Sequence, residues 1–145
     1  MLLRNDLLEY AGEGARTLRI LWTDPGKRRV YTYELGLPNA LPRAAAFDAL
    51  VDDVHQGRAR LLPVDPWRVN IAPSALPPGY LLLRESAWTI VGGLVREAPA
   101  IFDARTRGPL VAACRLVHGV SHPTVYRYLR RYWERGQHPD ALLPD

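Results

Sequence analysis

The first half of the chain alternates apolar and polar residues in the way typical of β-strands. A short strand is predicted at 7–10, and apolar residues recur at nearly every second position between 16 and 22. The alternation returns between 29 and 35, where one side carries Tyr31 and Tyr33. We expect this aromatic side to be the one that faces the interior.

Turn and helix signals separate these strands. Pro25 followed by Gly26 predicts a type II turn, so the second and third strands should form a hairpin. Pro42 opens a predicted helix that ends at Gly57, and a last strand is predicted at 59–64. The apolar stripe that packs this helix on the sheet is Ala44, Phe47, Leu50, Val51 and Val54.

The second half of the chain has helical periodicity instead. A helix is predicted from 80 to 97, a second begins with Pro109 in its first turn, and a third is capped by Ser121. The predicted buried positions are Leu83, Ala87, Ile90, Val91, Leu94 and Val95 in the first helix, Leu110, Ala113, Cys114 and Val117 in the second, and Val125, Leu129, Tyr132 and Trp133 in the third.

These elements predict an α+β fold in which a small β-rich domain precedes an all-α domain. The β-rich domain, a hairpin or meander with one helix, covers 1–66, and a proline-rich linker covers 67–79. The helical domain covers 80–136. Residues 137–145 are predicted to form an extended tail.

The last two predicted helices have the layout of a helix-turn-helix. They are joined by Gly119, Val120 and Ser121. Gly119 provides the positive φ that a sharp reversal requires, and Val120 is an apolar plug between the helices. The Ser121 side chain satisfies the first N–H groups of the following helix.

The exposed side of the third helix carries groups suited to DNA. Arg127 lies one turn into that helix and can make a bidentate contact to guanine, whereas neighbouring arginines are placed to reach phosphates. The predicted DNA-binding residues are His122, Thr124, Tyr126, Arg127, Arg130, Arg131, Arg135, Arg105 and Arg107. Lys27, Arg28 and Arg29 at the hairpin tip form a predicted auxiliary contact to the DNA backbone.

The distribution of charge supports an anionic partner for the helical half. The chain carries a net charge of +4, but residues 1–66 are neutral. Residues 101–135 contain seven arginines against only Asp103 and Glu134. The alternative is a helical hairpin whose arginine face is simply solvated.

Other chemistry is not indicated by the sequence. One cysteine excludes a disulfide framework, and no apolar run approaches the roughly 20 residues that a membrane-spanning helix needs. No secretory signal is visible, so we expect a cytoplasmic, nucleoid-associated protein. His118 and His122 are separated by a helix-breaking glycine, which argues against a metal site. No catalytic residue is predicted, because Asp52, Asp53 and His55 fall on the solvent side of their helix, and Cys114 is expected to be an inert core thiol.

Several segments together resemble the N-terminal region of TnsB-type transposases, which are DDE transposases related to phage Mu transposase and TniA. They are 107–111 (RGPLV), 119–133 (GVSHPTVYRYLRRYW) and the tail 136–145 (GQHPDALLPD). The opening residues 1–22 and the segment 63–66 (PVDP) also match the start of that family. The resemblance covers essentially the whole chain.

The resemblance implies sequence-specific binding to transposon ends in double-stranded DNA. In that family, strand transfer belongs to a downstream ribonuclease-H-like domain with three carboxylates and Mg²⁺. We expect this chain to end before that domain, and therefore to bind DNA without being an enzyme or holding a cofactor. The implied partners are other transposase protomers, a TnsC-like AAA+ regulator and a TnsA-like endonuclease.

Two other functions are compatible with the residues. A stand-alone helix-turn-helix transcriptional regulator would use the neutral sheet domain as a dimer interface or an effector pocket. A protein-interaction module of a transpososome would use the same domain and leave the arginines solvated.

Overall fold

The computed structural model describes residues 2–69 and 71–144, which fall into two compact units, 1–66 and 67–145. The chain has an α+β fold, as predicted, with a sheet unit followed by a helical unit. The predicted domain, linker and tail segments include Met1, Asn70 and Asp145, which lie outside the described residues.

The sheet unit contains five antiparallel strands among its described residues, in the order β4-β3-β2-β1-β5. One helix, α1, follows β4 in the chain and precedes β5. The elements are β1 (Leu7–Tyr10), β2 (Arg16–Asp24), β3 (Arg29–Glu34), β4 (Arg43–Ala46), α1 (Phe47–His55) and β5 (Ala59–Leu61).

Both faces of the central strands are buried, and this corrects the predicted inner face. Leu50 of α1 belongs to the same core as Ile20 of β2 and Val30 of β3. Val30 marks the aliphatic side of β3. Tyr31 and Tyr33 lie on the opposite side of β3 and are also buried, at 5% and 1% exposure. Alternation alone could not identify the face that α1 covers, because both faces of β3 exclude water.

Two local predictions in this unit are wrong. The turn after β2 is not a type II turn, since Gly26 has no positive φ and Arg28 takes the left-handed conformation instead (φ 48°). Residues 43–46, predicted as the start of the helix, form strand β4 on the edge of β3. Pairing with the exposed edge of β3 outweighs the helix propensity of the three alanines. Gly57 ends α1 as predicted, with a φ of 76°.

The helical unit contains three α-helices in its described part: α2 (Pro78–Val95), α3 (Ala104–His118) and α4 (His122–Glu134). Short 3₁₀ turns lie at Pro73–Ala75, Ala100–Phe102 and Pro139–Leu142. In the part of the chain that the structure describes, no helix is both long and apolar enough to cross a membrane.

Helix α3 begins earlier than predicted, and its buried side is different. Asp103 is the N-cap and accepts a hydrogen bond from the backbone N–H of Arg105, so Pro109 lies inside the helix rather than in its first turn. The buried positions of α3 are Arg107, Val111 and Cys114. The predicted core residue Val117 is 77% exposed. Leu110 and Ala113 of the same predicted stripe are not buried either, nor is Leu83 of α2.

The C-terminal segment is not the extended tail that we predicted. Residues 139–142 form a 3₁₀ turn, and Ala141, Leu142 and Leu143 are buried at 1–2% exposure. Arg84 of α2 donates to the carboxylate of Asp140 at 2.6 Å. Apolar burial therefore makes this segment part of the helical unit.

Candidate nucleic-acid interface

The turn between α3 and α4 has the geometry that the sequence predicted. Gly119 is left-handed, with φ 63° and ψ 35°, and its N–H donates to the carbonyl of Arg115 at 2.8 Å. The Ser121 hydroxyl accepts from the N–H of Thr124 at 3.3 Å and lies 2.9 Å from the Thr124 hydroxyl. The predicted helix-turn-helix elements are thus present, with a cap that fixes the start of α4.

The buried side of α4 is also as predicted. Val125, Leu129 and Trp133 are fully buried, and Tyr132 is 6% exposed. The Trp133 ring lies 6.4 Å from that of Phe102, and the Tyr132 ring lies 6.0 Å from that of Trp88 on α2. Because this side is held by large aromatic residues, the opposite side of α4 has a defined orientation towards solvent.

Arg127 lies on that solvent-facing side. It is exposed, and the ion pairs found among the described residues do not include it. Its guanidinium carbon lies 5.2 Å from the centre of the neighbouring Tyr128 ring. A guanidinium in this position is available to an external anion or to a base edge.

A second row of side chains runs along the flank of α4. The rings of His122 and Tyr126 pack with their centres 4.5 Å apart and their planes tilted by 36°, and the guanidinium of Arg130 lies 5.3 Å from the centre of the Tyr126 ring. Tyr126 is only 9% exposed. Its ring is covered by residues one turn before and one turn after it, which argues against the DNA contact predicted for Tyr126.

Two of the predicted DNA-binding arginines belong to the interior instead. Arg107 is 4% exposed and donates to the carbonyl oxygens of Phe102 and Ile101 at 3.1 and 3.5 Å. Arg135 is half-buried and donates to the carbonyl of Leu143 at 3.1 Å. Burial, followed by the charge of nearby Arg131, lowers the pKa of Arg135. The burial of Arg107 corrects the prediction that it contacts DNA, whereas the DNA contact predicted for Arg135 stays a prediction beside this structural role.

The remaining predicted residues stay near the surface. Arg105 is exposed, and a nitrogen of its guanidinium lies 3.3 Å from the carboxylate of Asp103. Arg131 is half-buried. Thr124 is half-buried, and its hydroxyl takes part in the Ser121 cap.

Arg115, on α3, was not among the predicted site residues, yet it is exposed four residues before the Gly119 turn. The clustering of arginines between 101 and 135 was the only signal for it, because the buried side of α3 was assigned incorrectly.

The hairpin tip in the sheet unit is less basic than its sequence suggests. Arg28 makes two hydrogen bonds to the carboxylate of Asp48, at 3.0 and 2.5 Å. This pairing lowers the pKa of Asp48. Lys27 is exposed and Arg29 is half-buried, and the Asp24 carboxylate accepts from the backbone N–H of Lys27. Two carboxylates therefore offset two of the three positive charges at the hairpin tip.

The other polar clusters have structural partners. Asp53 accepts from the Tyr10 hydroxyl at 2.6 Å and from Arg58 at 2.8 Å, and Asp52 also pairs with Arg58. Cys114 is 8% exposed, its sulfur lies 3.2 Å from the carbonyl of Ile90, and burial raises its pKa. Within residues 2–69 and 71–144, no group of three or more His, Cys, Asp or Glu is arranged to hold a metal ion.

Comparisons with known proteins identify the family context of this arrangement. Residues 84–145 match the family described as TnsB second domain. The chain is 52% identical over 128 residues to the protein called Transposon Tn7 transposition protein TnsB of Escherichia coli. The alignment covers 88% of this chain but only 18% of that relative. The predicted resemblance to TnsB-type transposases is confirmed, and the chain spans less than a fifth of the length of the relative that it matches.

Proposed function

We propose that this chain, which carries a TnsB second domain, binds double-stranded DNA sequence-specifically at transposon ends through helix α4. The helix would lie in the major groove, which is wide enough to admit an α-helix. This role agrees with similarity to a protein named for transposition.

The exposed Arg127 is the observation that carries the proposal. It lies in the second turn of a capped helix whose opposite side is anchored by Val125, Leu129 and Trp133. An arginine on such a rigid support can present its two parallel N–H donors to the O6 and N7 atoms of guanine. We assign base reading to Arg127.

The surrounding groups would position the helix on the duplex. His122 is exposed at the N-terminus of α4, where backbone N–H groups favour a phosphate. Arg130 and Arg131 flank Arg127, and Arg115 lies on the other side of the turn. Contacts of this kind provide affinity that depends on salt and not on sequence.

The wider role rests on the family. The catalytic carboxylates and Mg²⁺ of a DDE transposase would belong to other parts of the protein, and the reaction would take place in the cytoplasm on chromosomal DNA. A TnsC-like AAA+ regulator, a TnsA-like endonuclease and other transposase protomers are the expected partners. Lys27, Arg28 and Arg29 would form an auxiliary DNA contact only if the Arg28 side chain left the Asp48 carboxylate.

Binding to selected DNA tests the proposal directly. The intact chain is used to select duplexes from a pool with a randomised central segment, and affinities are then measured on the selected and on random duplexes. Arg127→Ala should weaken binding to the selected duplex by about 1–3 kcal/mol and leave binding to random DNA nearly unchanged. Arg43→Ala is the matched control, because it removes the same charge from an exposed position in the sheet unit.

The outcomes separate the three functions. Equal losses on selected and random DNA would show that Arg127 contacts only phosphate. A consensus repeated near element ends supports the transposition role, whereas a palindrome near the chain's own promoter supports a transcriptional regulator. The absence of binding at low salt would favour a protein-interaction module.

A further inference from the structure

The pairing of Arg127 with Tyr128 has a consequence for how α4 reads DNA. The guanidinium carbon of Arg127 lies 5.2 Å from the ring centre of Tyr128, within the range of a cation–π contact. Arg127 is exposed, and Tyr128 is half-buried at the border of the packed side. The ring is thus held more firmly than the side chain that rests on it.

An unsupported arginine on an exposed helix surface samples many rotamers. Bidentate recognition of guanine needs one direction of the guanidinium plane, so each extra rotamer lowers the population that is ready to bind. Adjacent residues on a helix project about 100° apart, and Tyr128 therefore supports Arg127 from the side.

The contact between Arg130 and Tyr126 differs from that between Arg127 and Tyr128. The guanidinium of Arg130 lies over the ring of Tyr126, a residue that is 9% exposed and that also packs against the ring of His122. Arg130 is itself half-buried. The ring of Tyr126 is thus committed to packing on both sides, whereas the ring of Tyr128 supports the more exposed arginine.

We propose that Tyr128 is a positioning residue that fixes the guanidinium of Arg127 before DNA binds and so determines base preference at one position of the site. The inference rests on the proposed DNA-binding function and deepens it. Tyr128 acts through Arg127 and does not itself read a base.

Three variants of the intact chain test this role: Tyr128→Phe, Tyr128→Leu and Tyr128→Leu combined with Arg127→Ala. The probes are the duplex selected by the wild-type chain and its variants with each base pair changed. Phenylalanine keeps the ring and should retain the wild-type preference. Leucine should reduce discrimination by about two- to fivefold at the base pair whose recognition is lost in Arg127→Ala, with unchanged affinity for random DNA.

The combined variant provides the decisive comparison. Because Tyr128 acts through Arg127, Tyr128→Leu should have no further effect once Arg127 is alanine. The same loss in both backgrounds would overturn the proposal, since Tyr128 would then contact DNA itself. An equal loss in Tyr128→Phe would also overturn it, because the hydroxyl and not the ring would matter.

Failure of the DNA-binding function would be recognised separately. If the wild-type chain selects no consensus, the proposed function falls and this inference falls with it. If the wild-type chain selects a consensus and Tyr128→Leu reads every base pair as before, only the role of Tyr128 is refuted. Thermal unfolding of each variant confirms that it is folded.

Discussion

Replacing Arg135 with alanine should destabilise the helical unit and leave the salt dependence of DNA binding unchanged. The sequence predicted a phosphate contact for this residue. In the structure its guanidinium instead donates to the carbonyl of Leu143 at 3.1 Å and is half-buried. The two assignments predict opposite results from one substitution.

The expected loss of stability follows from the environment of that hydrogen bond. Leu143 is 2% exposed, so water cannot readily replace the guanidinium at its carbonyl. Hydrogen bonds that involve a charged group contribute about 1.5–3 kcal/mol, and the aliphatic part of the arginine also packs against the fold. We therefore expect Arg135→Ala to lower the free energy of unfolding by about 2 kcal/mol.

Urea unfolding of the intact chain measures this effect, and salt-dependent DNA binding provides the second readout. A loss of that size shifts the urea midpoint by about 1 M for an m-value of about 2 kcal/mol/M. Arg127→Ala is the control on the same helix, and it should keep the midpoint while weakening specific binding. An unchanged midpoint for Arg135→Ala together with a salt slope reduced by about one would refute the structural assignment.

Two further substitutions test local features. Gly119→Ala should lower the free energy of unfolding by about 1–2 kcal/mol in urea, because φ is 63° and, apart from the neighbouring residues in the chain, no described atom lies within 4 Å of an added Cβ. Gly119→Asn should cost less, because asparagine tolerates the left-handed conformation better than alanine does, and equal costs for the two variants would show that backbone conformation is not the cause. Burial and the hydrogen bond to Asp53 raise the pKa of Tyr10 to about 12, and the bond lowers that of Asp53. The stability that Tyr10 provides is complete below its ordinary pKa of 10.0 and is lost as pH rises towards about 12. Tyr10→Phe should flatten this alkaline loss, and an unchanged pH profile would contradict the assignment.

The sequence predicted those features that depend on short-range signals. Gly119 and Ser121 indicate a left-handed turn and a cap, because few other residues satisfy those backbone requirements, and both are present. The buried stripe of α4 was also correct, since Leu129 and Trp133 leave little doubt about which side is apolar. The α+β class followed from the change of periodicity between the two halves.

The errors have a common physical origin in tertiary context. Arg107 is charged, yet it is buried because the carbonyls of the preceding 3₁₀ turn lie within reach of its guanidinium. Val117 is apolar, yet it is exposed because α3 begins at Ala104 and buries a different side. Residues 43–46 form a strand because β3 offers them an unpaired edge. The strand partner of residues 43–46 is distant in the sequence. The carbonyls that bind Arg107 are only five and six residues away, but they depend on a 3₁₀ turn that the periodicity did not predict.

Arginines of the sheet unit are often paired with carboxylates, which bears on how the exposed arginines near α4 are interpreted. Lys27 is the only lysine among the 19 lysines and arginines, so this sequence uses arginine in place of lysine throughout. That preference sets the type of basic residue but not which of them lie beside a carboxylate. In the sheet unit, four arginines each meet a carboxylate, and these pairs are Arg19–Asp65, Arg28–Asp48, Arg58–Asp52 and Arg60–Glu9.

Around the helix-turn-helix, Arg115 and Arg127 enter none of the ion pairs found among the described residues. Exposed Arg16 and Arg43 of the sheet unit also enter none of the ion pairs found among the described residues, so pairing alone does not distinguish the two units. What distinguishes Arg115 and Arg127 is their position on either side of one capped turn, where the backbone of a DNA duplex could meet both.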